Sequence, residues 1–266
     1  VVGRVPLGAR LAAAILATGV VFFMLAPLAV IVGASLTAGQ FLAFPPEGFS
    51  LRWYADVLDD PAYLSAAWTS LKLAVAVTVA AVAIGTPAAI AIARHRFRGA
   101  STLSALFLSP LVLPTIIFGI GLLLFFSAYA DGPSFVAMWL GHTVITLPYV
   151  IRTVVAVLED SDPFVEEAAR TMGANAWQRY WFGVLPQCAG AMAAGAFFAF
   201  NISFDEAVIA LFLRTPGLET LPLKIYSELE FSPDPAVAAA SSIMIGVTVL
   251  LIVAIERLLG LNRVTG

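Results

Sequence analysis

The chain reads as an all-α integral membrane protein with six transmembrane helices and both termini on the inner side. Three observations carry that reading. Of its 266 residues, 61% are hydrophobic and 12% charged, about half the charge of an ordinary soluble domain. Six apolar runs recur along it, each long enough to cross a hydrocarbon core of about 30 Å as a helix rising about 1.5 Å per residue. Basic residues crowd alternate connections between these runs, as the positive-inside rule requires. Lipid cannot hydrogen-bond exposed backbone groups, so helices are the economical spanning structure. The runs are continuously apolar, unlike the alternating strands of a membrane barrel.

The runs are Leu11–Gly33, Leu73–Ala93, Leu103–Phe126, Val136–Leu158, Cys188–Leu213 and Ala236–Leu259. An inner N-terminus places ten basic residues inside: Arg4, Arg10, Arg94, Arg96, Arg98, Arg152, Arg170, Arg179, Arg257 and Arg263. Four remain outside: Arg52, Lys72, Arg214 and Lys224. The short connection Arg94-His95-Arg96-Phe97-Arg98 is the most basic, and short loops are where the rule is strongest. The first run follows Arg4 and Arg10 but exceeds the roughly 7–15 residues of a signal-peptide core, so it is expected to be an uncleaved span. Outside, Ser35–Trp68 carries Phe44-Pro45-Pro46, Trp53, Tyr54 and Asp59-Asp60-Pro61, the composition of an ordered cap with interfacial aromatics. Leu221–Leu229 is expected to form a short amphipathic helix at the membrane surface. One membrane domain, 1–266, accounts for the chain.

The long inner connection, 159–187, has helix signals of its own. Asp162-Pro163 is a helix start, with Asp as cap and Pro at the first helical position. Glu166 and Glu167 follow in the first turn, where negative charge suits the helix dipole. Ala168 and Ala169 favour helix and leave room for a close-packed partner. Gly173 fits the left-handed position that ends a helix. A second short helix is expected over Ala174–Tyr180, with Trp177, Tyr180 and Trp181 near the headgroups, before Leu185-Pro186 opens the next span.

Glu166-Glu167-Ala168-Ala169-Arg170-Thr171-Met172-Gly173, followed by Leu185-Pro186, resembles the Glu-Ala-Ala loop of binding-protein-dependent ABC importer permeases. Ser203-Phe204-Asp205-Glu206 and Leu221-Pro222-Leu223-Lys224-Ile225-Tyr226-Ser227 resemble the last third of spermidine/putrescine-type permeases, and the similarity of spans and loops runs over essentially the whole chain. The resemblance implies the type I importer (MetI-like) fold, a five-helix core with a first helix wrapping a partner, in the bacterial inner membrane. It implies a second permease, leaning towards a different chain, a dimer of ATPase subunits below and a periplasmic binding protein above. The inner loop would then sit in a cleft of the ATPase, with Glu166, Glu167, Ala168, Ala169, Arg170, Gly173, Leu185 and Pro186 as its coupling residues. Two positions depart from the pattern. Gly183 replaces the usual aliphatic residue two before Leu-Pro, and Thr115 stands after Pro114 where polyamine permeases often have an acid.

Polar groups within the runs mark a candidate path. A carboxylate at a helix centre costs about 2.5–3.5 kcal/mol to insert, so Asp205 and Glu206 need a cavity, a partner or a cationic ligand. Asn201 and Asp205, four apart, share a helical face with Phe204 and Val208 beside them, while Glu206 points elsewhere. This face is either a path for a positively charged solute or an outer-boundary cluster that meets water or pairs with Arg214 or Lys224. Pro110, Pro114, Gly119 and Gly121 in the third run suit either a kinked gate or a close helix crossing. Thr143, Thr146 and Thr153 around Pro148 can satisfy kinked backbone or bond across helices. His142 is expected at the interface, and Arg152 is expected to snorkel near the inner end.

Other classes fit poorly. Net charge is −3, so nothing advertises nucleic acid. One cysteine, Cys188, and two histidines, His95 and His142, point to neither a metal site nor a nucleophile–base constellation. The two lysines, Lys72 and Lys224, lie outside any phosphate-binding Gly-Lys-Ser/Thr loop. ATP and Mg are therefore expected on a partner ATPase, with no cofactor on this chain. A secondary transporter usually shows two homologous halves, which this sequence lacks, and a channel needs a filter-like segment. The expected cargo is a small organic cation, a polyamine such as spermidine or putrescine first. An amino acid derivative, an aminophosphonate or iron are the alternatives.

Overall fold

The computed structural model describes residues 6–94, 98–162, 164–231 and 233–259. Arg4, His95, Arg96, Pro163 and Arg263 lie outside the described residues. The helices run α1 Leu7–Ser35, α2 Arg52–Asp59, α3 Pro61–Arg94, α4 Ala100–Leu108, α5 Thr115–Tyr129, α6 Phe135–Asp160, α7 Phe164–Thr171, α8 Ala176–Gln178, α9 Leu185–Asp205, α10 Val208–Leu213, α11 Leu221–Phe231 and α12 Pro235–Leu259. A 3₁₀ turn, Ser109–Leu111, follows α4, and a π-helical turn, Arg179–Val184, joins α8 to α9. Among the described residues, five continuous helical segments are long and apolar enough to cross a membrane, and α4 with α5 makes a sixth if the bent pair is counted as one span.

Two of the predicted spans are not single helices. The third breaks between Leu111 and Thr115, and its halves are inclined by 100°. Pro114 causes the break: it caps α5 in an extended conformation and disfavours helix at Leu113 before it. Pro110 tightens the preceding turn into 3₁₀ form. At 15 residues, α5 alone is roughly 22 Å long, short of a hydrocarbon core. The fifth predicted span stops at Asp205, and Glu206 is extended (φ −75°, ψ 111°) before α10 begins. Further upstream, α3 starts at Pro61, well before the predicted Leu73.

The chain packs as two compact units. The first comprises Val1–Leu64 and Ser227–Leu251. In it, Ser35 Oγ lies 2.6 Å from the Tyr54 hydroxyl, and the Phe44 ring covers Gly33 so closely that an added Cβ would come within 2.7 Å of it. Thr37 Oγ1 accepts from the amides of Gly39 and Glu47, and the Arg52 guanidinium stacks 4.3 Å above Trp53. These contacts order the aromatic segment that composition marks as a cap. The Tyr63 hydroxyl donates to Glu228.

The second unit, Ser65–Tyr226 with Ile252–Gly266, is organised around α6. One apolar cluster gathers Ala89 and Ile90 of α3, Val150, Val154 and Leu158 of α6, Val184, and Cys188 and Ala191 of α9. Another gathers Leu73 and Val77 of α3, Met138 and Ile145 of α6, Ile209 and Leu213 of α10, and Leu223 of α11. Small residues set the helix spacing, as is usual where lipid supplies no hydrophobic drive for association. A Cβ on Gly119 would meet the Phe212 ring at 2.6 Å, and one on Gly141 would meet Leu122 at 2.6 Å. A Cβ on Gly121 would meet no other part of this chain within 4 Å, so the close crossing seen within the chain is at Gly119. The start of α11 is not a surface helix. Leu221, Pro222 and Leu223 are buried, and the Leu221 amide donates to Ser70 Oγ of α3 at 2.8 Å.

Candidate functional site

The inner loop folds as a capped double helix. Asp162 Oδ1 accepts from the Phe164 amide at 2.9 Å and opens α7, with Glu166 and Glu167 in the first turn. At its end Gly173 takes φ +86°. Its amide bonds the Arg170 carbonyl and the Ala174 amide bonds the Ala169 carbonyl, both at 3.0 Å, the paired bonds of a Schellman termination. The next turn starts immediately. Asn175 Oδ1 accepts from the Gln178 amide, and Gln178 Oε1 accepts from the Asn175 amide, each at 2.9 Å. This capping box is legible as Asn-x-x-Gln but was not among the predicted signals.

From Ala176 the chain stays helical to Asp205. Pro186 lies within the first two residues of α9, where its ring would crowd an ordinary α turn before it; the wider π turn at Arg179–Val184 accommodates it. Gln187 Nε2 donates to the Gly183 carbonyl at 2.6 Å. Trp177, Tyr180 and Trp181 form one aromatic cluster with centroids 5.4–6.2 Å apart.

The predicted coupling residues divide by exposure. Glu167, Ala168 and Arg170 are exposed, while Glu166 and Ala169 are half-buried. Phe164 and Ala168 of α7 and Met172 just after it, each four apart, are exposed, so one apolar stripe faces outward. Glu166 turns the other way, onto Arg94 at the end of α3, with Nε to Oε1 at 2.7 Å. In the sequence Arg94 is marked only as an inner positive charge, because its partner Glu166 lies far along the chain.

The predicted path residues also separate. Asp205 is exposed at the last turn of α9 and Asn201 is half-buried one turn earlier. Phe204 is buried, and its ring stacks on Phe200 at 5.6 Å, so it packs the helix and does not line that face. Glu206 folds back on its own chain. Its Oε1 accepts from the amides of Val208 and Ile209 at 2.7 and 3.2 Å, replacing the carbonyls that the break removes and starting α10. A side-chain acceptor of this kind satisfies amides that lipid cannot.

In α6 one further expectation is corrected, and one pair of alternatives is resolved in favour of the helix's own backbone. His142 is fully buried, not interfacial, with Nδ1 3.1 Å from Ser203 Oγ on α9. The hydroxyls of Thr143, Thr146 and Thr153 donate to carbonyls three or four residues back in their own helix, not across to a neighbour. Arg152 is exposed, as a snorkelling residue requires.

A helical membrane bundle with a stiff, doubly capped loop between two spans defines a permease of the MetI-like fold. The chain belongs to the family of binding-protein-dependent transport system inner membrane components, whose model matches residues 81–261. It is 33% identical over 231 residues to the putrescine transport system permease protein PotI of Escherichia coli K12, covering 84% of this chain and 82% of that protein. It is 29% identical over 249 residues to the spermidine/putrescine transport system permease protein PotC of the same strain, covering 94% of each. Among solved structures, a bacterial ABC transporter involved in importing the acidic polysaccharide alginate superposes with a TM-score of 0.64 at 18% identity, over 95% of this chain and 97% of that one. The chain is thus a permease subunit of an ABC importer in the inner membrane.

Proposed function

We propose that this permease passes a small organic cation, a polyamine such as putrescine or spermidine, delivered by a periplasmic binding protein. Asp205 carries the reading. Its carboxylate is exposed at the point where a membrane helix is interrupted, and among the described residues no cation pairs with it. A negative charge within a spanning segment is costly unless a cavity or a cationic ligand meets it. The names of PotI and PotC support a polyamine as that ligand.

The same reading assigns α7 as the docking helix for a separate ATPase. Its outward stripe of Phe164, Ala168 and Met172 suits a helix laid in a groove, with Glu167 and Arg170 at the rim. Two such ATPases, using ATP and Mg, and a second permease of different sequence complete the machine, and this chain holds no cofactor. The test is reconstitution of the complete importer in liposomes with labelled putrescine, spermidine, an amino acid derivative and ferric iron. ATP-dependent uptake of the polyamines alone is the expected result. Uptake of another solute in their place, or uptake without the ATPase, overturns it.

A further inference from the structure

The helix α7 is joined covalently to α6 and, through α8, to α9. A third attachment comes from side chains. Arg94 ends α3, and its guanidinium reaches two other elements. Nε lies 2.7 Å from Glu166 Oε1 in the first turn of α7, and Nη2 donates to Ser161 Oγ at 2.5 Å. Ser161 caps α6, and its hydroxyl donates in turn to the Leu158 carbonyl at 3.0 Å. One planar cation therefore fastens the ends of α3 and α6 to the start of α7.

The pair is sheltered, with 13% of the Arg94 side chain and 23% of the Glu166 side chain exposed. Beneath it lies the apolar cluster of Ile90, Leu158, Val184 and Cys188, with Ala93 and Tyr180 packed against it. Water screens such a pair less than a surface pair, and removing one partner strands the other charge. The guanidinium spreads its charge over separate nitrogens, so Nε faces Glu166 as an ion pair while Nη2 donates to Ser161. The compact lysine ammonium matches this arrangement less well.

We propose that Arg94 is a positioning residue for energy coupling, the link through which displacement of α7 is passed directly to α3. This rests on α7 being the ATPase-docking helix. With the link intact, a push on α7 moves three spanning segments together; without it, α3 follows only through its packing on α6. Glu166 then serves the permease's internal rigidity, and docking falls to the exposed residues Glu167, Ala168 and Met172.

The test uses the complete importer in liposomes and reads two quantities, ATPase co-elution with the permease and ATP hydrolysed per solute imported. Arg94→Gln is expected to keep the ATPase bound while raising the ATP cost per solute by about fivefold or more, the lower end of typical coupling between sites. Arg94→Lys should fall between, and the exchange Arg94→Glu with Glu166→Arg should recover most of the wild-type ratio. An unchanged ratio in Arg94→Gln overturns the proposal, as does an exchange no better than its single variants combined. Loss of the ATPase from Arg94→Gln and Arg94→Lys alike also overturns it, because Arg94 then serves assembly. Failure of the docking reading itself is distinguished by Glu167→Arg and Met172→Glu, which would leave co-elution intact.

Discussion

Gly195 on α9 lies so close to Val150 on α6 that a Cβ added to it would come within 2.9 Å of the Val150 Cα. Thr153 Oγ1 would lie at 2.8 Å as well, and the Val150 Cα is backbone, which cannot swing aside as a side chain can. Val150 is crowded from another side by Gly85 of α3, whose added Cβ would meet Val150 Cγ1 at 3.0 Å. Two glycines thus let three helices meet at one residue.

Gly195→Val is therefore expected to destabilise the permease by about 1–3 kcal/mol, the usual cost of overpacking. Gly121→Ala, with open space around it, should be neutral or slightly stabilising, because alanine favours helix by about 1 kcal/mol over glycine. Thermal unfolding of the two variants in one detergent checks the contrast, and equal midpoints would contradict the close crossing.

Glu167→Arg reverses the charge at an exposed position in the first turn of α7. Weaker ATPase association is expected, since the change alters the docking face and opposes the helix dipole, a local effect of about 0.3–1 kcal/mol before any lost contact is counted. Co-purification at graded salt measures it. Normal association and normal ATP-driven uptake would count against α7 as the docking helix.

Asp205→Asn removes the exposed carboxylate at the end of α9 while keeping its shape. Uptake of a cationic solute should fall by about tenfold or more, in line with losing a charged hydrogen bond of roughly 1.5–3 kcal/mol. Assembly should be unaffected, since among the described residues no hydrogen bond or ion pair holds this side chain. Unchanged uptake kinetics would remove Asp205 from the path.

Glu206→Ala should loosen the start of α10 by about 1 kcal/mol, the typical cost of losing a cap. Glu206→Gln keeps an acceptor for the Val208 and Ile209 amides and should be mild. Hydrogen exchange at those two amides discriminates: faster exchange in the alanine variant alone is the expected pattern, and equal protection in both would show that the carboxylate does not cap α10.

Much of the molecule was legible because its signals are local. Asp162, Gly173 and the Leu185-Pro186 pair mark helix ends through bonds to residues within about five positions, so the chain alone specifies them. The Asn175–Gln178 capping box is equally local. The breaks at Pro114 and Glu206 were half legible: the proline and the acid are plain in the sequence, but long apolar runs mask an interruption within them.

The sequence by itself determined the membrane solvent, the approximate spans, the capped inner loop and the resemblance of that loop to importer permeases. Only the tertiary structure decided that Glu166 turns to Arg94, that His142 is buried against Ser203, and that Gly119 packs against Phe212. The reason is physical. In lipid both the packed and the free faces of a helix are apolar, so hydrophobic periodicity does not reveal which face meets a neighbour. Contacts such as His142–Ser203, 61 positions apart, depend on how each helix is rotated and where it crosses the next, and close packing of whole helices sets both.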